Sequence, residues 1–230
     1  MARNPNKVGV WQSLRNAWKV QDIRKKLVYT FLMLVVFRLV GVIPAPGVDY
    51  ARVQASMGSN TLPLLDLVNM MTGSNFQNMT IMAMGITPYI NSSIIMQLLT
   101  IAIPALEEMQ RDGEEGRKKI TAITRYVTVG LALFESVAMA IGFGRQGLIP
   151  NMNFFKGLTV VACLTAGSAM LMWIGERITE KGVGNGISIV LTINIVSRVP
   201  SDLSLLYENF IKGKTIAKGM LAGVVIFAII

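Results

Sequence analysis

A chain of 230 residues with 52% hydrophobic and only 15% charged side chains does not read as a soluble domain, which carries about 25% charge. Long apolar runs place it in the membrane class. The formal net charge of +9 and pI of about 9.9 then belong to loops that orient helices and meet anionic lipid, not to a specific nucleic-acid interface. The lack of histidine excludes His-ligated metals, His bases and Ser-His-Asp triads. Cys163 lies in an apolar run, where packing outweighs reactivity. No cofactor or metal is expected.

Residues 1–26 are basic, through Arg3, Lys7, Arg15, Lys19, Arg24, Lys25 and Lys26. Trp11, Leu14 and Trp18 share one helical face, as in an amphipathic segment lying on a membrane surface; a frayed polar tail is the alternative. The run 27–43 is longer than a typical signal-peptide core and ends in Ile43-Pro44-Ala45-Pro46, without an obvious small-x-small cleavage site. It reads as a retained first span in which Arg38 snorkels or pairs within a bundle. Residues 63–72, PLLDLVNMMT, form a short apolar helix candidate with Pro63 at its start and Gly73 after its end. It is too short to cross about 30 Å of hydrocarbon, so it is either re-entrant or interfacial, or an ordinary helix in an outer loop.

A second span is expected at 76–104. Within it, GITPYINSSIIMQLL (85–99) carries Pro88 and the triplet Asn91, Ser92 and Ser93. Helix breakers and polar groups are tolerated at membrane depth where they face protein or a water-filled cavity, so this segment points to a polar path. The loop 105–119 is dense in both signs. Spans are expected at 120–143, 155–175 and 186–199, with a truncated sixth from 216. The chain is still apolar at Ile230, which suggests an N-terminal portion of a longer protein. The Lys/Arg bias puts the N-terminus, 105–119 and 176–185 in the cytoplasm; Lys212 and Lys214, in an outer loop, disagree.

Glu135 lies inside the 120–143 span, where an acid costs about 2.5–3.5 kcal/mol on insertion scales. It belongs against a partner or water, as a gate or ion site, or as a buried polar contact between helices. Ile86 and Ile90 are four apart, as are Ile187 and Leu191. Such pairs are ordinary packing residues or an apolar collar that blocks ions by dewetting. The glycine-rich Gly182–Gly186 run does not match G-x-G-x-x-G, and Gly213-Lys214-Thr215 has Glu208 where a phosphate loop needs glycine, so nucleotide binding is rejected.

The stretches VVFRLVGVIPAPGVD (35–49), MAMGITPYINSSIIMQLL (82–99), DGEEGRKKITAITRY (112–126) and LMWIGERITEKGVGNGISI (171–189) together resemble the SecY family, channel subunits of the bacterial Sec protein translocase. The likeness runs over almost the whole chain, as roughly the first half of a family member. It implies an all-α, polytopic transmembrane helix bundle: the first half of a ten-helix channel with a short re-entrant plug helix. On that resemblance Pro63, Leu64, Leu65, Leu67, Met70 and Met71 belong to the plug. Ile86, Ile90, Ile187 and Leu191 correspond to pore-ring positions, and Asn91 and Glu135 to the lateral gate. Leu191 stands where isoleucine is common, and Glu135 where bacterial relatives often carry an uncharged amide.

The implied function is passage of unfolded secretory proteins across the bacterial cytoplasmic membrane, with lateral release of membrane segments and no enzymatic step. Implied partners are SecE and SecG, a SecA motor or ribosome, signal sequences, nascent chains and anionic lipids. Two other classes remain open: a secondary transporter with a midplane site at Glu135, and a noncatalytic scaffold.

Overall fold

The computed structural model describes residues 20–49, 52–53, 69–150 and 153–207. Its named helices are α1 (Gln21–Val40), α2 (Thr87–Ala102), α3 (Pro104–Arg111), α4 (Glu114–Arg145), α5 (Phe154–Lys181) and α6 (Gly186–Tyr207). The only strand-like feature among the described residues is an isolated bridge between Pro44 and Thr80. Among the described residues two helices, α4 and α5, are long and apolar enough to cross a membrane; α2 and α3 together qualify as a broken span or a re-entrant loop. The expected spans at 120–143 and 155–175 fall inside α4 and α5, and 186–199 falls inside α6. The basic segment before Val20, the sixth span from 216 and the plug positions Pro63, Leu64, Leu65 and Leu67 lie outside the described residues.

Two expectations about local structure need correction. The run 76–104 is not one helix: residues 73–86 form consecutive turns, and the helix begins at Thr87. Ser74 and Met79 adopt positive φ there, as do Gly73 and Gly85, which breaks helical geometry although the sequence is apolar. The charged stretch 105–119 is mostly helix, not loop. Pro104 starts α3, and the residue before a proline is driven from α to extended geometry, as Ile103 is at φ −113°, ψ 111°. The chain bends there by 101°.

Small residues let these helices meet. The buried face of α4 runs through Gly116, Thr124, Thr128, Ala132, Ser136 and Ala140. Lipid is as apolar as leucine, so association in a membrane rests on close packing and polar contacts, which such a face permits. On α5, a Cβ at Gly167 would collide with the Ile81 carbonyl, and on α6 a Cβ at Gly186 would collide with the Gly175 carbonyl. The first contact seats the 73–86 turns on α5. The second closes the α5–α6 corner, so the glycine-rich 182–186 run serves chain reversal rather than phosphate binding. Asn185 Oδ1 accepts from Ile187 N at 3.0 Å there, satisfying an early amide of α6.

The turns are clipped on a second side. Ala45 N donates to Met79 O at 2.8 Å, and Ile81 N donates to Ile43 O at 3.0 Å. Outward-facing apolar side chains such as Phe31, Phe134, Phe154 and Phe155 remain exposed, as lipid-facing surfaces are.

Gly167→Ala in the full-length protein should lower the unfolding midpoint in detergent by the equivalent of about 1–3 kcal/mol, because backbone must shift. Gly130→Ala on α4, where a Cβ meets nothing within 4 Å, should leave it unchanged or raise it. Equal midpoints for the two variants would show that the Ile81 contact does not matter.

Candidate functional site

Ile86 is the last residue before α2, and its carbonyl accepts from Tyr89 N and Ile90 N, each at 3.1 Å. That first turn puts Ile90 directly above Ile86. Ile187 sits in the first turn of α6 just past Asn185, and Leu191 follows one turn on. Gly175 on α5 leaves room for Ile187: a Cβ there would lie 3.2 Å from Ile187 Cγ1. All four side chains join one apolar cluster with Phe37, Met82, Leu171, Ile174 and Val190. Ile86 is fully buried in it, while Ile90, Ile187 and Leu191 keep part of their surface free.

This cluster touches two cavities, one at Tyr89 and Ile187 and one at Phe37, whose walls mix polar and apolar groups. One, of about 480 Å³, reaches Tyr89 and Ile187 and is lined by Lys118, Arg125, Glu176 and Glu180. Its walls carry both signs, and Arg125 Nε pairs with Glu176 Oε1 at 2.9 Å. The other, of about 630 Å³, lies at the far end of α1, where Arg38, Asn75, Asn78 and Thr80 share its wall with Phe37, Val42 and Pro44. An apolar collar, were a path to run through it, would oppose ions, which lose hydration there.

Of the expected plug positions, Met70 and Met71 are described. They lie in a helical turn at 69–72, Met70 exposed and Met71 half-buried. That turn ends beside the cluster. Thr72 Cγ2 would lie 2.9 Å from a Cβ on Gly85, the residue before Ile86.

Asn91 and Glu135, 44 residues apart, meet between α2 and α4: Asn91 Nδ2 donates to Glu135 Oε1 at 3.5 Å. Asn91 is exposed and Glu135 half-buried. The same helices are also tied through the neighbouring Ser92 Oγ, which bonds Thr128 Oγ1 and donates to Thr124 O. Arg38 donates from Nη2 to Ile193 O at 2.9 Å, joining α1 to α6.

The Arg125–Glu176 pair and the Ser92–Thr128 contact were not singled out from sequence. Arg125, Glu176 and Ser92 lie in segments that carry the family resemblance and Thr128 just beyond one, but the pairings join residues 51 and 36 apart, which no local spacing predicts. Among the described residues no three Cys, Asp or Glu side chains converge as a metal site.

A family model described as SecY matches residues 80–230. The chain is 43% identical over 199 residues to the protein translocase subunit SecY of Streptomyces galbus, covering 81% of this chain and 46% of the relative. To the same subunit of Corynebacterium glutamicum it is 40% identical over 224 residues, 93% of this chain and 50% of the relative. The chain thus spans about half the length of the curated relatives it matches. Two solved structures share its fold, each with TM-score 0.53 and 20% identity over 81% of this chain and 38% of theirs. One is described as a protein-conducting channel, the other as Sec61 in a canine ribosome–channel complex from the endoplasmic reticulum.

The Ser92–Thr128 bond should register in a double-mutant cycle. With Ser92→Ala and Thr128→Val in the full-length protein, unfolding in detergent should show a coupling of about 0.6 kcal/mol, the average for such contacts in membranes. Additive losses would mean that the two hydroxyls do not cooperate.

Proposed function

The chain belongs to the SecY family, and we propose that it forms the half of a protein-conducting channel that carries one side of the pore ring and one side of the lateral gate. It is a membrane protein, and the proposed activity is passage of unfolded polypeptide with sideways release of apolar segments. The observation that carries this reading is the convergence of Ile86, Ile90, Ile187 and Leu191 on one apolar cluster with a cavity at either end. The ring seals by excluding water, and the segment containing Met70 and Met71 acts as the plug beside it. No covalent chemistry is involved; a partner supplies the energy.

In the same proposal Asn91 and Glu135 tune the gate. Their hydrogen bond joins α2 to α4 on a face that still has exposed polar surface. Polar groups that meet each other cost less than polar groups facing lipid, so the pair favours the arrangement in which they stay together. We place the N-terminus in the cytoplasm of a bacterial cell, from the Lys/Arg bias. SecE, SecG and a SecA motor or ribosome are the proposed partners, and 105–119 contributes to motor contact only secondarily. Nothing among the relatives or fold neighbours supports a transporter centred on Glu135.

Photocrosslinking probes at Ile90 and Ile187, placed in the full-length protein in native membranes, should give strong adducts with a stalled export substrate. A probe at Leu131 on α4 should give weak ones. No adducts at either ring position, with the substrate engaged elsewhere, would overturn the channel reading. Asn91→Leu and Glu135→Leu should each shift the gate equilibrium by about threefold, the equivalent of about 0.6 kcal/mol. Export of a reporter with a weakened signal sequence reads this shift; unchanged export in both variants would remove the pair from gating.

A further inference from the structure

Asn194 lies on α6 three residues beyond Leu191, about 4.5 Å further along the axis. It is completely buried, and among the described residues neither Oδ1 nor Nδ2 of its amide has a hydrogen-bond partner. Buried amides are normally paired, and an orphaned one asks for an explanation in terms of function or strain. Its neighbour supplies one. Gly73, which ends the 69–72 turn, adopts φ +66°, and a Cβ there would lie 2.9 Å from Asn194 Oδ1 and 3.2 Å from Asn194 Cα. The segment therefore seats by its bare backbone on the Asn194 side chain.

Two further contacts define this seat. Arg38 grips Ile193 O, the carbonyl just before Asn194, so α6 is held from the α1 side at the same level. Gly73 also lines the larger cavity, with Arg38, Asn75, Asn78 and Thr80. When the segment seats, Gly73 covers the amide without pairing it. Gly73 thus borders both the amide and a cavity large enough to hold water.

We propose that Asn194 is a positioning residue that sets how firmly the 69–73 segment seats beside the ring: its unpaired amide makes the seated state only marginally preferred. The proposal rests on the channel reading above, with this segment as the plug. An unpaired buried amide destabilises the state that buries it by enough to change a two-state ratio about tenfold. Leucine has the same branching and no polar atoms, so it removes that cost. Aspartate raises it, because a charge is dearer to bury than an amide.

The test uses the full-length protein with its partner subunits in liposomes. It reads ion leak without substrate, and maleimide labelling of Met71→Cys in a Cys163→Ala background. Asn194→Leu should lower leak about tenfold and slow labelling, and Asn194→Asp should raise leak about tenfold and speed labelling. Gly73→Ala should raise both through the clash with Asn194. A packing role alone would make the leucine and aspartate variants leak alike, and that result overturns the proposal. If the aspartate variant does not assemble, leak and labelling at or above the wild-type level in Asn194→Leu overturn it. The same preparations are scored for substrate adducts at Ile90 and Ile187. Adducts without the leucine effect reject the seat but keep the channel, whereas their loss rejects the channel.

Discussion

The structure depends on a backbone-to-backbone approach: the non-helical turns 73–86 dock on α5 through Gly167, whose missing Cβ admits the Ile81 carbonyl. Irregular backbone among membrane helices survives only where protein satisfies its polar groups. Here that happens twice over, since Ile43 O and Met79 O tie the chain leaving α1 to the same turns. Fixing these turns fixes Ile86 as the residue from which α2 departs. The position of Ile86, on one side of the proposed ring, is thus a consequence of a glycine on a different helix.

From that anchor the polar and apolar parts separate along α6. The start of α6, held by Asn185, meets a cavity of mixed charge. Leu191 and Val190 meet the apolar cluster. Ile193 and Asn194 meet Arg38 and Gly73, beside the larger cavity. In the channel proposal this apolar layer suits a seal that opens: its resistance to ions comes from the cost of stripping hydration, and none of its side chains is charged.

The helices were legible where hydropathy and ends agreed. Residues 120–143 and 155–175 sit within α4 and α5 because an apolar run of that length has few other solutions. The turns at 76–86 were not legible. An apolar stretch has the same composition whether it is a buried helix or a buried turn, and the positive φ of Met79 leaves no mark in residue type. At 105–119 the error ran the other way, as dense charge concealed a helix started by Pro104. The proposed ring and gate roles were drawn only from family resemblance. Spacing pairs Ile86 with Ile90 and Ile187 with Leu191, but no rule of period joins the two pairs, or Asn91 to Glu135. Asn194 escaped notice because one amide in an apolar helix has no local signature; its meaning depends on Gly73, which lies 121 positions earlier.

Arg38 shows how a costly residue becomes a structural one. A guanidinium within a span is expensive, and the expense falls near a helix end where a long stem reaches polar surroundings. Arg38 sits in the last turn of α1, where a cation also complements the helix dipole. Its bond to Ile193 O crosses to α6 at the level where Gly73 meets Asn194. The end of α1, the docked turns and the middle of α6 therefore meet at one level. A displacement of the 69–73 segment is felt first at Asn194, next to the carbonyl that Arg38 holds. In the channel proposal, the resting state of the ring is for this reason set outside the ring itself, by the Arg38 bond and the Gly73–Asn194 contact about one helical turn away.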